Sequence, residues 1–224
     1  MSDKRVLLVL TSHDDLAGIR KTGYFVGEAA HPWREFTDAG FAVDVASVAG
    51  GVPPQDGFDA DDAEQVAFLA DPAMAAQLAD TPKLAEVDVS GYDAVFFVGG
   101  HGTMWDFPTT AAVSAAGRDV YEAGGIVAAV CHGPSALVNM TLSDGSRLIA
   151  GKRVAGFTNE EERAVGLTDA VPFLLADELV AAGATHVPAQ NFTEQVVVDG
   201  RLVTGQNPQS AAGAGRAVVG LLSD

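Results

Sequence analysis

Cys131 is the only cysteine of the chain, and it stands directly after the apolar run Ile126–Val130 and before His132-Gly133-Pro134. A thiol that follows a buried strand and opens a turn into a helix has the placement of a nucleophile elbow. The adjacent histidine can accept and return the thiol proton. Backbone N–H groups and the helix dipole favour a thiolate at such a position, so we expect the pKa of Cys131 to be lowered. The alternative is that Cys131 is only a small buried side chain.

A glycine-rich segment follows another apolar run and has the composition of an oxyanion-binding loop. It contains Gly99, Gly100, His101 and Gly102. Glycines let backbone N–H groups come close to a ligand oxygen, and the N–H of His132 would complete the site. The alternative is an ordinary strand-to-helix turn. The five histidines show no pair with the spacing of a zinc-binding helix, so we expect no metal site.

Glu28 is a carboxylate at the start of a predicted helix, Glu28–Ala39, whose neighbours are mostly apolar. If Glu28 faces Cys131, burial would raise its pKa and let it exchange protons near neutral pH. The alternative is a capping carboxylate at the helix N-terminus, which needs no catalytic role.

Three consecutive glutamates follow a short predicted strand, Arg153–Phe157. One of Glu160, Glu161 and Glu162 could fix the tautomer of a histidine beside the nucleophile. We expect at least two of the three to be solvated residues of an acidic helix start.

Continuous apolar runs predict four buried parallel strands, and helical patterns lie between them. The predicted strands are Val6–Leu10, Val43–Ser47, Ala94–Val98 and Ile126–Val130, and the predicted helices are Glu28–Ala39, Pro72–Leu78, Thr109–Ala123, Val171–Ala182 and Pro208–Leu222. This alternation is typical of an α/β fold with a doubly wound, mostly parallel sheet flanked by helices on both faces. Ligands bind beyond the carboxyl ends of such strands, where Cys131 and the glycine-rich loop both fall.

Two parts of the chain interrupt this alternation. Residues 49–89 form a long excursion that we expect to pack beside the site or at a dimer surface. Hairpins are predicted at Leu142–Ala150 and where Gln195–Val198 meets Arg201–Thr204. We expect residues 1–224 to form a single domain.

The charge of the chain excludes some classes of partner. Thirteen basic residues stand against thirty acidic ones, for a net charge of −17. Such a surface repels phosphate backbones and anionic lipids, so neither nucleic acid nor a membrane is an expected partner. The segment Met1–Arg5 lacks the features of a signal peptide, so we expect a cytoplasmic protein.

Taken together, these motifs resemble the ThiJ/PfpI superfamily, whose flavodoxin-like fold is shared with the class I glutamine amidotransferase-like domains. The similar segments are Gly23–Pro32, Phe96–Pro108, Ala128–Pro134, Gly156–Glu162 and Asp199–Pro208. Gly-Gly-His-Gly-Thr-x-x-Asp-x-Pro and Cys-His-Gly-Pro are both typical of the heat-shock chaperone/glyoxalase III branch. Ser135 stands where true amidotransferases have a glutamine, so glutamine hydrolysis is not expected.

The resemblance implies a role for each of several residues. Cys131 is the nucleophile, His132 its partner and Glu28 the buried carboxylate at the helix start. The triad acid falls on Glu162, with Glu161 as the alternative. Either Glu28 or His132 could be the base that moves the substrate proton.

The resemblance also implies a reaction. It is the conversion of methylglyoxal, or a related 2-oxoaldehyde, into a 2-hydroxy acid through a cysteine hemithioacetal, without a cofactor or metal and in a homodimer. The alternatives are a holding chaperone and a cysteine peptidase or amidase. A small closed pocket lined by Trp105, Phe107 or Tyr24 would favour the aldehyde.

Overall fold

The computed structural model describes residues 4–223. Residues 1–3 and 224 of the predicted domain lie outside the described residues. The strands are β1 (Arg5–Leu10), β2 (Asp15–Leu16), β3 (Arg20–Lys21), β4 (Tyr24–Phe25), β5 (Ala42–Ser47), β6 (Gln55–Asp56), β7 (Ala94–Phe97), β8 (Ile126–Val130), β9 (Arg153–Val154), β10 (Thr185–His186), β11 (Val196–Asp199) and β12 (Leu202–Gly205). The α-helices are α1 (Val26–Asp38), α2 (Ala63–Ala70), α3 (Pro72–Ala79), α4 (Thr103–Asp106), α5 (Ala111–Glu122), α6 (Asn159–Ala164), α7 (Leu175–Ala181) and α8 (Ala211–Ser223).

The central sheet has six strands in the order β11-β12-β8-β7-β1-β5. Every neighbouring pair is parallel except β11 with β12, which form the predicted antiparallel hairpin. The chain enters at β1, runs to β5 on one side, and then crosses to β7 on the other. This reversal confirms the doubly wound, mostly parallel sheet and creates a switch point between β1 and β7, where open α/β sheets bind ligands.

Helices cover both faces of this sheet. Phe96 and Phe97 are consecutive in β7, so their side chains point to opposite faces. Phe36 of α1 contacts Phe96, with ring centroids 6.0 Å apart. On the other face, Gly117 of α5 lies against Phe97. Because both faces are covered, the residues of β7 and β8 are buried throughout, which explains their continuous apolar runs.

Several predicted elements differ from those of the structure. The helix after Cys131 is only a five-residue 3₁₀ turn, Gly133–Leu137. The hairpin predicted at Leu142–Ala150 is reduced to one isolated bridge, between Thr141 and Arg147. The strand predicted as Arg153–Phe157 ends at Val154 and pairs with β10. These short pieces depend on tertiary partners, which local sequence patterns do not contain.

The excursion at 49–89 packs beside the start of α1. Its strand β6 pairs in parallel with β4, the two residues that lead into α1. It also contains α2, which the sequence analysis did not predict, although Asp62 caps it by accepting hydrogen bonds from the N–H groups of Glu64 and Gln65. Among residues 4–223, no helix has the length and apolar character needed to cross a membrane.

Candidate active site

Cys131 occupies a sharp elbow between β8 and the 3₁₀ turn. Its φ is +60°, a left-handed conformation that is strained for a residue with a side chain. Two hydrogen bonds hold it there: its N–H donates to the Gly205 carbonyl at 2.9 Å, and its carbonyl accepts from the Phe157 N–H at 2.9 Å. The side chain is 4% exposed. The sheet therefore imposes the backbone geometry that delivers the sulfur to the cavity.

His132 links the sulfur to a carboxylate. Its Nδ1 lies 3.4 Å from the Cys131 Sγ, and its Nε2 lies 2.7 Å from Oε2 of Glu162. Burial, reinforced by the neighbouring His101 ring, lowers the pKa of His132 to about 4, so the imidazole is neutral. Burial would raise the pKa of Glu162, but hydrogen bonds from His101 and His132 lower it to about 2. An ionised carboxylate only accepts, so Nε2 carries the ring proton and the lone pair of Nδ1 faces the sulfur.

Glu28 lies on the other side of the same sulfur. It is the third residue of α1 and is fully buried, and Phe25, not Glu28, is the N-cap of that helix. Neither carboxylate oxygen has a hydrogen-bond partner of good geometry among the described residues. Burial raises the pKa of Glu28 to about 8, against smaller opposing effects of the Cys131 thiol and the Gly99 N–H. Glu28 is therefore mostly protonated at neutral pH and can exchange its proton there.

The expected lowering of the thiol pKa is not found. Burial and the Glu28 carboxylate raise the pKa of Cys131, while the N–H of His132 acts in the opposite direction. The expectation assumed a full helix after the elbow, but the five-residue 3₁₀ turn contributes a small dipole. Since the thiol and Glu28 repel each other as anions, the pair holds at least one proton over the neutral range.

The glycine-rich loop lies against these groups. Gly100 has a φ of +109° and lines the cavity, and within residues 4–223 its N–H donates to no backbone carbonyl. The Thr103 hydroxyl lies 2.9 Å from the Gly100 carbonyl and 3.0 Å from that of His132, so it joins the loop to the elbow. The N–H groups of Gly100 and of His132, which also interacts with the Cys131 sulfur, both lie beside the nucleophile, where they could stabilise an oxyanion.

The other predicted loop residues have different positions. Gly99 lies against Glu28, where a Cβ atom would overlap the Oε2 of that carboxylate. His101 lines the cavity, and its Nε2 lies 2.9 Å from Oε1 of Glu162. Gly102 packs against the Thr11 side chain and does not line the cavity. The loop thus supports Glu28 and Glu162 as well as the space for a ligand.

The sequence of residues 23–220 matches the DJ-1/PfpI family. This chain belongs to the DJ-1/PfpI family. It is 37% identical over 225 residues to Glyoxalase 3 of Candida albicans, covering 92% of this chain and 93% of that protein. It is 36% identical over 224 residues to the glutathione-independent glyoxalase HSP31 of Saccharomyces cerevisiae, covering 94% of each. Among solved structures, the Rapid Encystment Protein 24 KDa of Francisella tularensis superimposes with a TM-score of 0.94 at 40% identity, covering 98% of this chain and 99% of that one.

The three glutamates of this DJ-1/PfpI protein have separate roles. Only Glu160 is exposed, in an ion pair with Arg163. Glu162 is the residue that contacts His132. Glu161 was expected to be either the triad acid or a solvated residue, but it is buried and completes a capping box with Thr158. A Thr-x-x-Glu spacing in the sequence is the signal that would have identified this box.

The cavity above Cys131 has a volume of about 330 Å³. Its apolar walls are not the predicted ones: Tyr24 and Phe107 are fully buried in the core, and Trp105 stacks on His13. The walls are instead formed by Phe25, Phe157, Val165, Leu167, Phe192 and Pro208. Phe157 and Phe192 come from distant loops, so local sequence reasoning had no signal that placed them here.

Two further features of this DJ-1/PfpI protein bear on ligands. His101, His132 and Glu162 offer three donor atoms within 4.8 Å, a grouping that could hold a metal ion. However, their N–O distances of 2.7 and 2.9 Å are those of direct hydrogen bonds, which an ion would have to break.

A larger cavity of about 480 Å³ lies at the opposite end of the sheet, beside Lys4, Asp93 and other residues, far from the nucleophile.

Proposed function

We propose that this chain is a glutathione-independent glyoxalase that converts methylglyoxal, or a related 2-oxoaldehyde, into the 2-hydroxy acid. The observation that carries the proposal is the position of the Cys131 sulfur between two different proton carriers, His132 Nδ1 and the buried carboxyl of Glu28, whose oxygens have no hydrogen-bond partner of good geometry among residues 4–223. The fungal relatives named as glyoxalases, similar over more than nine-tenths of the chain, support the same reaction. We assign the catalytic roles to Cys131, His132, Glu28 and Glu162.

The first step is addition of the thiol to the aldehyde. The Cys131 sulfur bonds to the aldehyde carbon, and the thiol proton passes through His132 Nδ1 to the aldehyde oxygen, giving a neutral hemithioacetal. Because the pKa of His132 is about 4, the imidazolium gives this proton up readily. Glu162 holds the ring and stabilises its transient charge.

The second step moves a hydrogen between two carbons of the substrate. The Glu28 carboxylate takes the proton from the former aldehyde carbon and returns it to the neighbouring carbon, while the hydroxyl proton moves between their oxygens. One carbon is oxidised as the other is reduced, and the product is a thioester of the 2-hydroxy acid. The N–H groups of Gly100 and His132 stabilise the enediolate between these transfers. A carboxyl group with a pKa of about 8 suits a proton that is both taken and returned.

The last step is hydrolysis of the thioester. Water adds to the carbonyl carbon, the carbon–sulfur bond breaks, and the sulfur recovers a proton as the 2-hydroxy acid leaves. The small exposure of Cys131 favours a small substrate over a polypeptide, which would need an open groove to reach the sulfur. This argues against the peptidase alternative.

The deciding experiment supplies methylglyoxal without glutathione and follows D-lactate. Wild-type protein should form lactate, and the Cys131→Ala variant should form none. Glu160→Gln, which changes only an exposed ion pair, is the matched control and should retain wild-type turnover. Absence of lactate from wild-type protein whose thiol is confirmed as reduced would reject the proposal.

The remaining expectations stay predictions. They are a single domain, a cytoplasmic homodimer without nucleic acid, membrane or cofactor partners, and a chaperone function as the alternative. Light scattering tests the dimer, and aggregation assays with Cys131→Ala test whether any chaperone function is independent of the thiol.

A further inference from the structure

Phe192 has an unusual conformation for a wall of the cavity. Its φ is +55°, in the left-handed region that a bulky side chain rarely adopts. Its side chain is 40% exposed although it lines the cavity, and its ring lies 6.3 Å from that of Phe157. A strained and exposed aromatic residue at a ligand site indicates that the surrounding structure holds it there for a purpose.

Glu161 is the group that holds the Phe192 loop. Its Oε1 accepts a hydrogen bond from the Phe192 N–H at 2.8 Å. The same oxygen accepts from the side-chain amides of Gln206 at 3.1 Å and Asn207 at 2.9 Å. Its Oε2 accepts from the N–H and the hydroxyl of Thr158, at 3.0 and 2.9 Å. With every contact satisfied, this buried carboxylate fixes the loop relative to α6.

The cavity is larger than methylglyoxal requires, and its lining is mostly apolar, although Arg20 and Asp56 also line it. Its volume of about 330 Å³ is within the range of sites that bind drug-sized molecules, and it would hold roughly ten waters at about 30 Å³ each. The two carbonyl groups of the substrate react at the Cys131 sulfur. A methyl substituent is too small to displace the water that contacts the apolar walls of the cavity. Val165, 43% exposed, also lines the cavity and would lose contact with water if a larger apolar group were bound against it.

We propose that the preferred substrates are 2-oxoaldehydes with an apolar substituent larger than methyl, such as a branched alkyl group, and that Phe192 is the residue that selects for this substituent. Glu161 is the positioning residue that keeps Phe192 in place. This inference rests on the proposed function, since it assigns the substrate class of the same site. The inference differs from the proposed function because the substrate preference depends on the cavity walls, whereas the reaction depends on the thiol of Cys131.

The kinetic test compares methylglyoxal with 4-methyl-2-oxopentanal, which carries an isobutyl group in place of the methyl. Wild-type kcat/KM should be roughly tenfold or more higher for the branched aldehyde, because each buried methylene adds to binding. Phe192→Ala should reduce this ratio about tenfold, whereas Phe192→Leu should largely keep it. Phe58→Ala is the matched control, because Phe58 is exposed but does not line the cavity. A wild-type ratio near one, or a ratio unchanged by Phe192→Ala, would overturn the inference.

The role of Glu161 has its own test. Glu161→Gln replaces one carboxylate oxygen with an NH₂ group. This NH₂ group would face the N–H donors that now bind the carboxylate, so the loop that carries Phe192 should shift. Its KM for the branched aldehyde should rise several-fold, while its kcat for methylglyoxal should change much less. If kcat for methylglyoxal fell by as large a factor as KM for the branched aldehyde rose, the variant would be disturbing α6 and Glu162. Glu161 would then be removed from the inference.

A binding experiment separates this inference from the reaction itself. The Cys131→Ala variant is titrated calorimetrically with 2-hydroxy-4-methylpentanoate and with lactate. Binding of the branched acid should be about tenfold tighter. If wild-type protein turned over neither aldehyde while this binding preference held, the proposed function would fail and the 2-oxoaldehydes would no longer be substrates, but the selection of larger apolar groups by the cavity wall would still hold. Equal binding of the two acids would reject the inference even if methylglyoxal were a substrate.

Discussion

His101 and His132 share the single carboxylate of Glu162: His101 Nε2 lies 2.9 Å from one oxygen, and His132 Nε2 lies 2.7 Å from the other. The two rings also contact each other, with centroids 4.0 Å apart. The carboxylate therefore orients both imidazoles, and the second histidine contributes to keeping His132 neutral. Loss of Glu162 would release two rings and not one.

Glu162→Gln should lower kcat by roughly a hundredfold or more, because the amide can present an N–H to His132 and fix the wrong tautomer. Glu160→Gln should leave kcat within about twofold, since Glu160 is exposed and pairs only with Arg163. Steady-state kinetics of the two variants make the comparison. Equal effects would remove Glu162 from the triad.

The pH dependence of kcat/KM should report the pair formed by Glu28 and Cys131. The active form of the pair has lost one of its two protons, and burial raises the pKa of Glu28 to about 8. The value of kcat/KM should therefore rise with pH and level off above about pH 8. In Glu28→Gln, activity should fall by at least about a hundredfold and the rise near pH 8 should disappear. A wild-type profile that is flat from pH 6 to 9 would contradict this assignment.

Glu28 should also make the folded state less stable as the pH rises. The carboxyl ionises near pH 4.5 in the unfolded chain and near pH 8 in the folded one, so between these values the folded state binds more protons. The free energy of unfolding then falls with increasing pH, by up to about 1.4 kcal/mol per pH unit from this group. Urea denaturation of wild type and Glu28→Gln from pH 5 to 8 measures the difference between their slopes. Parallel curves would show that Glu28 titrates normally.

Gly99→Ala tests the close approach of the loop to Glu28. The added Cβ would overlap the Glu28 Oε2 and the Val130 carbonyl, so one of these groups must move. We expect kcat/KM to fall by roughly a hundredfold through displacement of Glu28, with a stability loss of about 1–3 kcal/mol. Gly220→Ala in α8, where an added Cβ meets open space, is the matched control and should change neither quantity substantially. Unchanged kinetics of Gly99→Ala would show that the position of Glu28 is not critical.

The sequence predicted the parts of this site that depend on local patterns. An apolar run that ends at Cys131-His132 is a local signal, and the structure has the elbow there with a positive φ. The helix start that carries Glu28 was predicted within two residues. The third group, Glu162, required the family resemblance, because the run of three glutamates did not by itself single out one of them.

The remainder depends on contacts between distant segments. The pKa of Cys131 follows from burial and from Glu28, more than a hundred residues away in the chain, so a rule based on the helix start gave the wrong direction. Phe192 reaches the cavity through a hydrogen bond to Glu161, which no periodicity reveals. The helix α2 is an exception, because Asp62, which accepts hydrogen bonds from the N–H groups of Glu64 and Gln65, is a capping signal that stands in the local sequence.

The left-handed backbone of Cys131 restricts which other nucleophiles the elbow can carry. A residue with one heavy atom beyond Cβ, such as serine, has the same shape as cysteine and adds no crowding. Threonine has a second branch at Cβ, and branched residues are true outliers at φ near +60°. The backbone conformation at position 131 therefore allows serine, but not threonine, to replace cysteine as an oxygen nucleophile.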